Sequence, residues 1–568
     1  MRTTDPLGQA QTIKRDPSGR PVEVAGGRGV NVGLVYGPDG DLVAKTYNGS
    51  KAAAYEFDAA NNLARMQDSS GMYSFVNNPA GMLIAIHYPD GNQVSFVYDE
   101  VRSLSSVVYP GSFKVDYTYD RRDRVTKTAW QGGSITYQYD GVGNVTSETR
   151  SNGADSVYSY DARGRTVELS HARGSQPFAR IRYVRNANGD IISETGVQPA
   201  AIERAEAGES VVFNALDQVE RRGQDSYSYD ADGNLIAISN GKWQAGYDPE
   251  NRLAEVTREG QKTTYLYNGL GHRIQAATGA TVRNYHYDLK GRLLFETGGN
   301  GEITRFYIYS GGLLAACYTP DGQSYFYHFN HQGSTLAMTN TAGEVVAAYR
   351  YTPFGKIAGQ SEGLKDNPFT FIGAYGVMDE GGGLYYMKNR YYDAVTGRFV
   401  QKDPLGIAAG LNLYGYVANN PLNRIDPRGL IDRGFPNSML TGKPPDPGAD
   451  LTPLSGPAVA TTNIAIGAYG VYSAVTGIMS GGSIPLATFL LAVAGSRIYS
   501  TVKRAINNEY GAEYKPSDIP KDLVDPTKGI RGGMSWTGQK WQEFNDWGAR
   551  TMGQLENSIY QCYGVPNY

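Results

Sequence analysis

Cysteine is nearly absent from this 568-residue chain: Cys317 and Cys562 are the only two, and thiols so far apart cannot staple a protein of this size. Charge of one sign is also missing, since 53 basic and 56 acidic residues leave a net charge of −3. Such a balance exerts no long-range pull on polyanions, so the chain as a whole carries no electrostatic footprint for nucleic acid. Met1–Lys14 contains no apolar run of the kind a Sec signal peptide requires, and export is expected to use a machine that reads no such signal. Histidine is scarce and unevenly placed, with all six residues, at 87, 171, 272, 286, 328 and 331, ahead of residue 431.

What the chain has in abundance is glycine, 71 residues, and tyrosine, 43, while charged residues make up only 19%. That profile describes many short strands joined by tight turns rather than helical bundles. A length several times the usual domain size, about 150 residues, then points to one large repetitive architecture.

The repeat is legible. Tyr-Asp followed by a Gly-containing turn recurs at Tyr98-Asp99, Tyr119-Asp120, Tyr139-Asp140 and Tyr160-Asp161, then at Tyr229-Asp230, Tyr247-Asp248 and Tyr287-Asp288, with Tyr267-Asn268 filling the one gap in the second series. The intervals leave room for two short strands and two turns, so the unit is a hairpin. In Ser226-Tyr227-Ser228-Tyr229 large and small residues alternate as a strand with two unlike faces requires, and Asp232-Gly233-Asn234 supplies the turn. One hairpin cannot bury its apolar face, so neighbours must stack into a continuous sheet, which twists and curls. The predicted fold is mainly β: a long spiralling sheet around an interior. Asp16-Pro17-Ser18-Gly19-Arg20 already reads as a repeat turn, so the series is expected to continue one begun upstream, behind an amino-terminal delivery domain.

This pattern resembles the YD repeat of Rhs proteins, of the B/C components of insecticidal toxin complexes and of teneurins, over roughly residues 16–430. The segments Tyr351-Thr352-Pro353-Phe354-Gly355, Gly383–Asp393 and Gly397-Arg398-Phe399 are similar to the Rhs core signature. The resemblance implies a β-sheet cocoon over residues 1–380, a plug with an aspartyl autoprotease over 381–430, and a separate, mostly α-helical toxin cargo over 431–568. It further implies that Asp403 and Asp426 are the acid and base, that cleavage falls between Leu430 and Ile431, and that Arg390 and Arg398 orient the carboxylates and the scissile strand.

Taken singly, Asp403-Pro404-Leu405-Gly406 and Asp426-Pro427-Arg428-Gly429 are only turns, and Asp5-Pro6-Leu7-Gly8 carries the same tetrapeptide. Two neighbouring carboxylates, however, cannot both ionise and must share a proton. The ionised member can activate water for attack on the Leu430 carbonyl while the protonated member polarises that carbonyl or protonates the leaving nitrogen of Ile431. Which aspartate takes which role stays open, and each arginine is alternatively a structural ion-pair partner, for instance of Asp393. No cofactor or metal is expected.

Residues 431–568 break the pattern. They contain no histidine, one cysteine, and 11 basic against 11 acidic residues, which disfavours histidine-dependent nucleases, zinc deaminases and Cys-His peptidases. From 451 to 496 there is no charged residue. Two apolar helices, Asn463–Ser480 and Ile484–Val502 within a hairpin over 451–504, fit this stretch and suit membrane insertion, with Gly477 and Gly481 allowing close helix contact. A packed pretoxin or translocation module fits it too. In that case a soluble enzyme such as an ADP-ribosyltransferase using Glu509 or Glu513 follows. A third reading is a cell-surface adhesion or scaffold protein.

The expected protein is thus an antibacterial effector, cytoplasmic in the producer and secreted by a type VI machine, whose toxin fragment depolarises the target inner membrane. Expected partners are a cognate immunity protein, possibly membrane-embedded, spike/PAAR delivery components, an effector chaperone and target-membrane lipids, with no nucleic acid.

Overall fold

A computed structural model describes residues 2–5, 7–201, 209–364, 366–406, 410–430 and 433–434. All belong to the first of the chain's two units, Met1–Val459. The fold is β throughout. Nineteen strands from Arg2–Thr4 to Ile191–Val197 form one antiparallel sheet, each strand paired with the next in sequence. Sixteen more, from Val211–Phe213 to Ile357–Gln360, form a second, and a small four-stranded sheet spans Met378–Phe399. The passage between the two large sheets falls in the interval between Tyr160 and Tyr229 where the Tyr-Asp series lapses.

The Tyr-Asp pair explains itself at each turn. In the repeat that begins at Tyr247, Asp248 Oδ1 accepts the backbone N–H groups of Glu250 and Arg252, both at 2.9 Å, and Arg252 Nε donates to Asp248 Oδ2 at 2.6 Å. One carboxylate therefore satisfies the turn's backbone and holds a cation at the same time. The Arg252 guanidinium lies over the Tyr267 ring of the next unit, 4.7 Å from its centroid. Tyr267 in turn donates its hydroxyl to the Leu253 carbonyl at 2.8 Å. The ladder shifts register just before each such tyrosine, for example between Leu266 and Tyr267, which turns the ring to that carbonyl. Equivalent Tyr hydroxyl bonds run from Tyr98 to Leu83, Tyr119 to Leu104, Tyr139 to Val125 and Tyr160 to Val145. Asn268 replaces the aspartate without losing the turn, because its Oδ1 accepts Leu270 N and His272 N. The same turn forms at Asn186, Asn214 and Asn340, units that lack the Tyr-Asp signature.

Packing uses both faces of the second sheet. Phe306, Ile308, Ala316, Tyr318 and Phe326 join the apolar side chains of the first sheet, whereas the alternating Tyr307, Tyr309, Cys317, Tyr327 and Phe329 pack with Phe369, Met378, Tyr386 and Tyr391 from the segment that follows the second sheet. Strands such as Leu293–Gly298 and Leu313–Tyr318 are accordingly buried at every position. Hydrogen bonds fix how the large sheets sit on each other: Tyr109 hydroxyl to Tyr307 O at 2.8 Å, Thr128 Oγ1 with Ser310 Oγ at 2.7 Å, and Trp130 Nε1 to Ser324 Oγ at 3.0 Å. The result is a mainly β fold of repeated hairpins, with the segment after the second sheet packed against it. Among the described residues no helix is long and apolar enough to cross a membrane. The predicted helical cargo, with its hairpin over 451–504, lies outside the described residues.

Candidate functional site

Four plug segments converge on Arg390. The first is the hairpin Leu384–Met387 to Arg390–Asp393, whose tight turn at Lys388 (φ 60°) and Asn389 places Arg390 at the start of its strand. The second is the turn Asp403–Gly406, in which Asp403 Oδ1 accepts Leu405 N at 2.8 Å and its carbonyl accepts Gly406 N at 2.9 Å. The third is the chain at Leu413–Tyr414. The fourth is the turn after Arg424–Ile425, which carries Asp426 and Gly429 before the backbone doubles back at Arg433–Gly434 to pair with Ile425 and Arg424.

The predicted aspartates meet there. Arg390 Nη2 lies 2.7 Å from Asp403 Oδ2 and 3.5 Å from Asp426 Oδ2, so the two carboxylate oxygens can be separated by no more than those two distances laid end to end. All three side chains are buried, Arg390 and Asp426 at 3% exposure and Asp403 at 5%. Arg390 uses its other nitrogens on backbone: Nε donates to Gly429 O at 2.6 Å and Nη1 to Leu413 O at 3.1 Å. Its guanidinium stacks on Phe399, 3.5 Å from the ring centroid. Burial pushes the Asp403 carboxyl up to about 6, a rise that Arg390 opposes and Asp426 adds to. Burial also lowers Arg390 from the usual guanidinium value, against the attraction of the same two acids.

The predicted cleavage point touches this group. Leu430 N donates to Asp426 Oδ1 at 3.0 Å, and Asn389 Nδ2 holds the Arg428 carbonyl at 2.9 Å. Ile431 lies outside the described residues. Gly429 has φ 63°, and a Cβ there would come within 3.0 Å of Met387 O and 3.2 Å of Arg390 Cβ, so only glycine lets the loop approach this closely.

Arg398, expected beside the acids, is placed elsewhere. Its Nη1 donates to Asn419 Oδ1 at 3.0 Å, and its guanidinium lies over Phe213, because position 398 sits on the neighbouring strand, opposite Asp393. Of the two arginines, Arg390 is the one in contact with both acids. Sequence reasoning missed the Leu413 carbonyl, which accepts both Arg390 Nη1 and Asp403 N, and missed Asn389 as a clamp on the loop. A backbone carbonyl has no signature in a sequence; Asn389 lay inside the recognised signature without a role.

Residues 152–422 match the family model described as teneurin YD-shell. The chain is 34% identical over 272 residues to the tRNA3(Ser)-specific nuclease WapA of Bacillus spizizenii, covering 45% of this chain and 11% of that protein. It is 27% identical over 280 residues to the toxin protein Tse5 of Pseudomonas aeruginosa, covering 42% of this chain and 21% of the relative. The chain thus spans about a tenth to a fifth of the length of these curated relatives. Both alignments are longer than the whole segment 431–568, so each includes a substantial part of the repeat shell. Among solved structures, TcdB2-TccC3-TEV shares the fold, with a TM-score of 0.58 over 76% of this chain and 28% of that one at 16% identity. With its repeat turns and two meandering sheets, the chain carries a YD shell over residues 152–422, in keeping with the resemblance of its sequence to Rhs and other YD-repeat proteins.

Proposed function

We propose that this chain is the self-processing part of an Rhs-type toxin, in which Asp403 and Asp426 cut the bond between Leu430 and Ile431 once and so free residues 431–568. The observation that carries the reading is the convergence of two buried carboxylates on one guanidinium nitrogen, with the Leu430 amide bonded to one of them. A pair of acids sharing a proton supplies both halves of amide hydrolysis. The ionised carboxylate takes a proton from water, the oxygen adds to the Leu430 carbonyl carbon, and the protonated partner donates to the departing nitrogen of Ile431. The C–N bond breaks, leaving a carboxylate on Leu430 and an amine on Ile431. Arg390 holds the acids and the Gly429 carbonyl in one frame. The test is a denaturing gel with sequencing of the new amino terminus: the parent should give two bands, one beginning at Ile431, and Asp403→Asn or Asp426→Asn a single one. Two bands in both variants would remove the dyad.

For the freed segment we favour insertion in the target inner membrane, supported by the 46 uncharged positions between Asp450 and Arg497. An immunity protein in the producer, type VI delivery components with a chaperone, and membrane lipids are the partners this reading requires. The name of the Bacillus relative favours a second reading, an enzyme acting on nucleic acid. A potential-sensitive dye and an RNA gel, applied to cells expressing 431–568, separate the two: loss of potential with intact RNA supports insertion, and cleaved RNA with normal potential supports the nuclease.

A further inference from the structure

The dyad is tied to distant parts of the shell through the residues beside it. Lys402, next to Asp403, donates from Nζ to Asp5 Oδ2 at 2.6 Å and to Gln9 Oε1 at 3.0 Å, both on the first turn of the first sheet. Gln9 Nε2 in turn reaches Asp230 O, on a turn of the second sheet, at 3.2 Å. Tyr414, next to the Leu413 carbonyl that Arg390 and Asp403 share, donates its hydroxyl to Gly233 O and accepts Gln218 Nε2, each at 2.6 Å. The beginnings of both sheets therefore grip the two chain segments that frame the site.

The turn at Asp5 is built like the other repeat turns, its Oδ1 accepting Leu7 N and Gln9 N. Elsewhere Oδ2 often takes an arginine four residues on, as Asp16 takes Arg20 and Asp248 takes Arg252. Position 9 is glutamine, and the cation is Lys402 of the plug. The ion pair is largely shielded, with side-chain exposures of 22% for Lys402 and 13% for Asp5. A repeat turn whose cation comes from beside the active site can complete itself only on a docked plug, and the plug can fix Lys402 only on a docked turn.

We propose that Lys402 and Tyr414 are positioning residues that make self-cleavage conditional on docking of the Asp5–Gln9 turn, so that the chain cuts itself only after the repeat that carries Asp5 has closed on the segment that carries Lys402. This rests on the reading of Asp403 and Asp426 as the cleaving pair. Misplacing an acid by a fraction of an ångström to an ångström slows such a reaction by about tenfold to a hundredfold.

The experiment follows the appearance of the shorter bands with time as the full chain is synthesised in a cell-free system. Lys402→Met should slow cleavage by about tenfold or more, Lys402→Arg, which keeps a cation for Asp5, should stay within about threefold of the parent, and Asp5→Asn, which keeps the turn's Oδ1 bonds and removes the charge, should fall between them. Rescue by arginine marks a positional role, since it restores the ion pair and nothing else. Parental rates in both Lys402→Met and Asp5→Asn, or Lys402→Arg as slow as Lys402→Met, overturn the proposal while leaving the dyad intact. A parent that stays whole, or Asp403→Asn that still cuts, overturns the dyad and this proposal with it.

Discussion

Replacing Arg390 by methionine keeps a long apolar stem and removes only the guanidinium. The change strips 2.7 Å and 3.5 Å contacts from two buried acids, takes the Arg390 donor from the Gly429 carbonyl and leaves the Leu413 carbonyl with Asp403 N alone. Breaking a buried ion pair by deleting one partner costs about 3–5 kcal/mol. The pH dependence of that cost is the sharper test. In the parent, Arg390 opposes the burial that lifts Asp403 to about 6. Without Arg390 the folded value rises further, while the unfolded value stays near 3.9, as for any exposed aspartate. A carboxyl with a raised folded value holds more protons in the native state, so its favourable contribution is complete below about pH 4 and is lost as pH climbs through the folded value, at up to about 1.4 kcal/mol per pH unit. Arg390→Lys keeps a charge beside the acids with fewer donors. Urea midpoints of Arg390→Met and Arg390→Lys, measured from about pH 5 to about pH 8, should lie close together at the acid end and separate by ~1–3 kcal/mol at the alkaline end, with methionine the less stable. A gap that does not change with pH would show that Arg390 is not the counter-charge of the pair.

Self-cleavage itself should slow as pH rises through about 6, the value for Asp403, because the shared proton is then lost; cleavage time courses begun at stepped pH check this, and a flat profile across that range counts against Asp403 as the proton donor. Gly429→Ala should cut at least about tenfold more slowly, since its Cβ would crowd Met387 O and Arg390 Cβ while φ stays at 63°; a gel time course reads it. In the repeats, Asp248→Ala should cost ~2–3 kcal/mol by removing the side-chain acceptor of two backbone N–H groups and the partner of Arg252, whereas Asp248→Asn should cost ~1 kcal/mol, because Asn268 already shows that an amide oxygen completes the turn; thermal melts compare them. Tyr139→Phe, which deletes the hydroxyl bond to the Val125 carbonyl, should lower stability by ~1 kcal/mol in the same assay.

The repeating hairpin and its turn were determined by sequence alone, since their causes are local: an Asx side chain bonds backbone two and four residues on, and alternation decides which face is apolar. For the same reason units with asparagine and no tyrosine were passed over, although the Asx–x–x–Gly spacing at Asn186 and Asn340 carried the signal. The two aspartates could be named from the plug signature, but four stretches spell Asp-Pro-x-Gly and nothing within the tetrapeptide separates a buried, converging acid from a turn at the surface. Tertiary structure alone separates them. Asp16, at 15% side-chain exposure, pairs with Arg20, four residues on and 36% exposed, whereas Asp403 and Asp426, at 4% each, turn inward to one buried guanidinium delivered by a different hairpin. It also divides the two arginines, since adjacent strands present positions 390 and 398 to different surroundings. Burial of charge and the meeting of distant turns, Asp5 with Lys402 above all, depend on how the sheets stack, and no local pattern of residues encodes that.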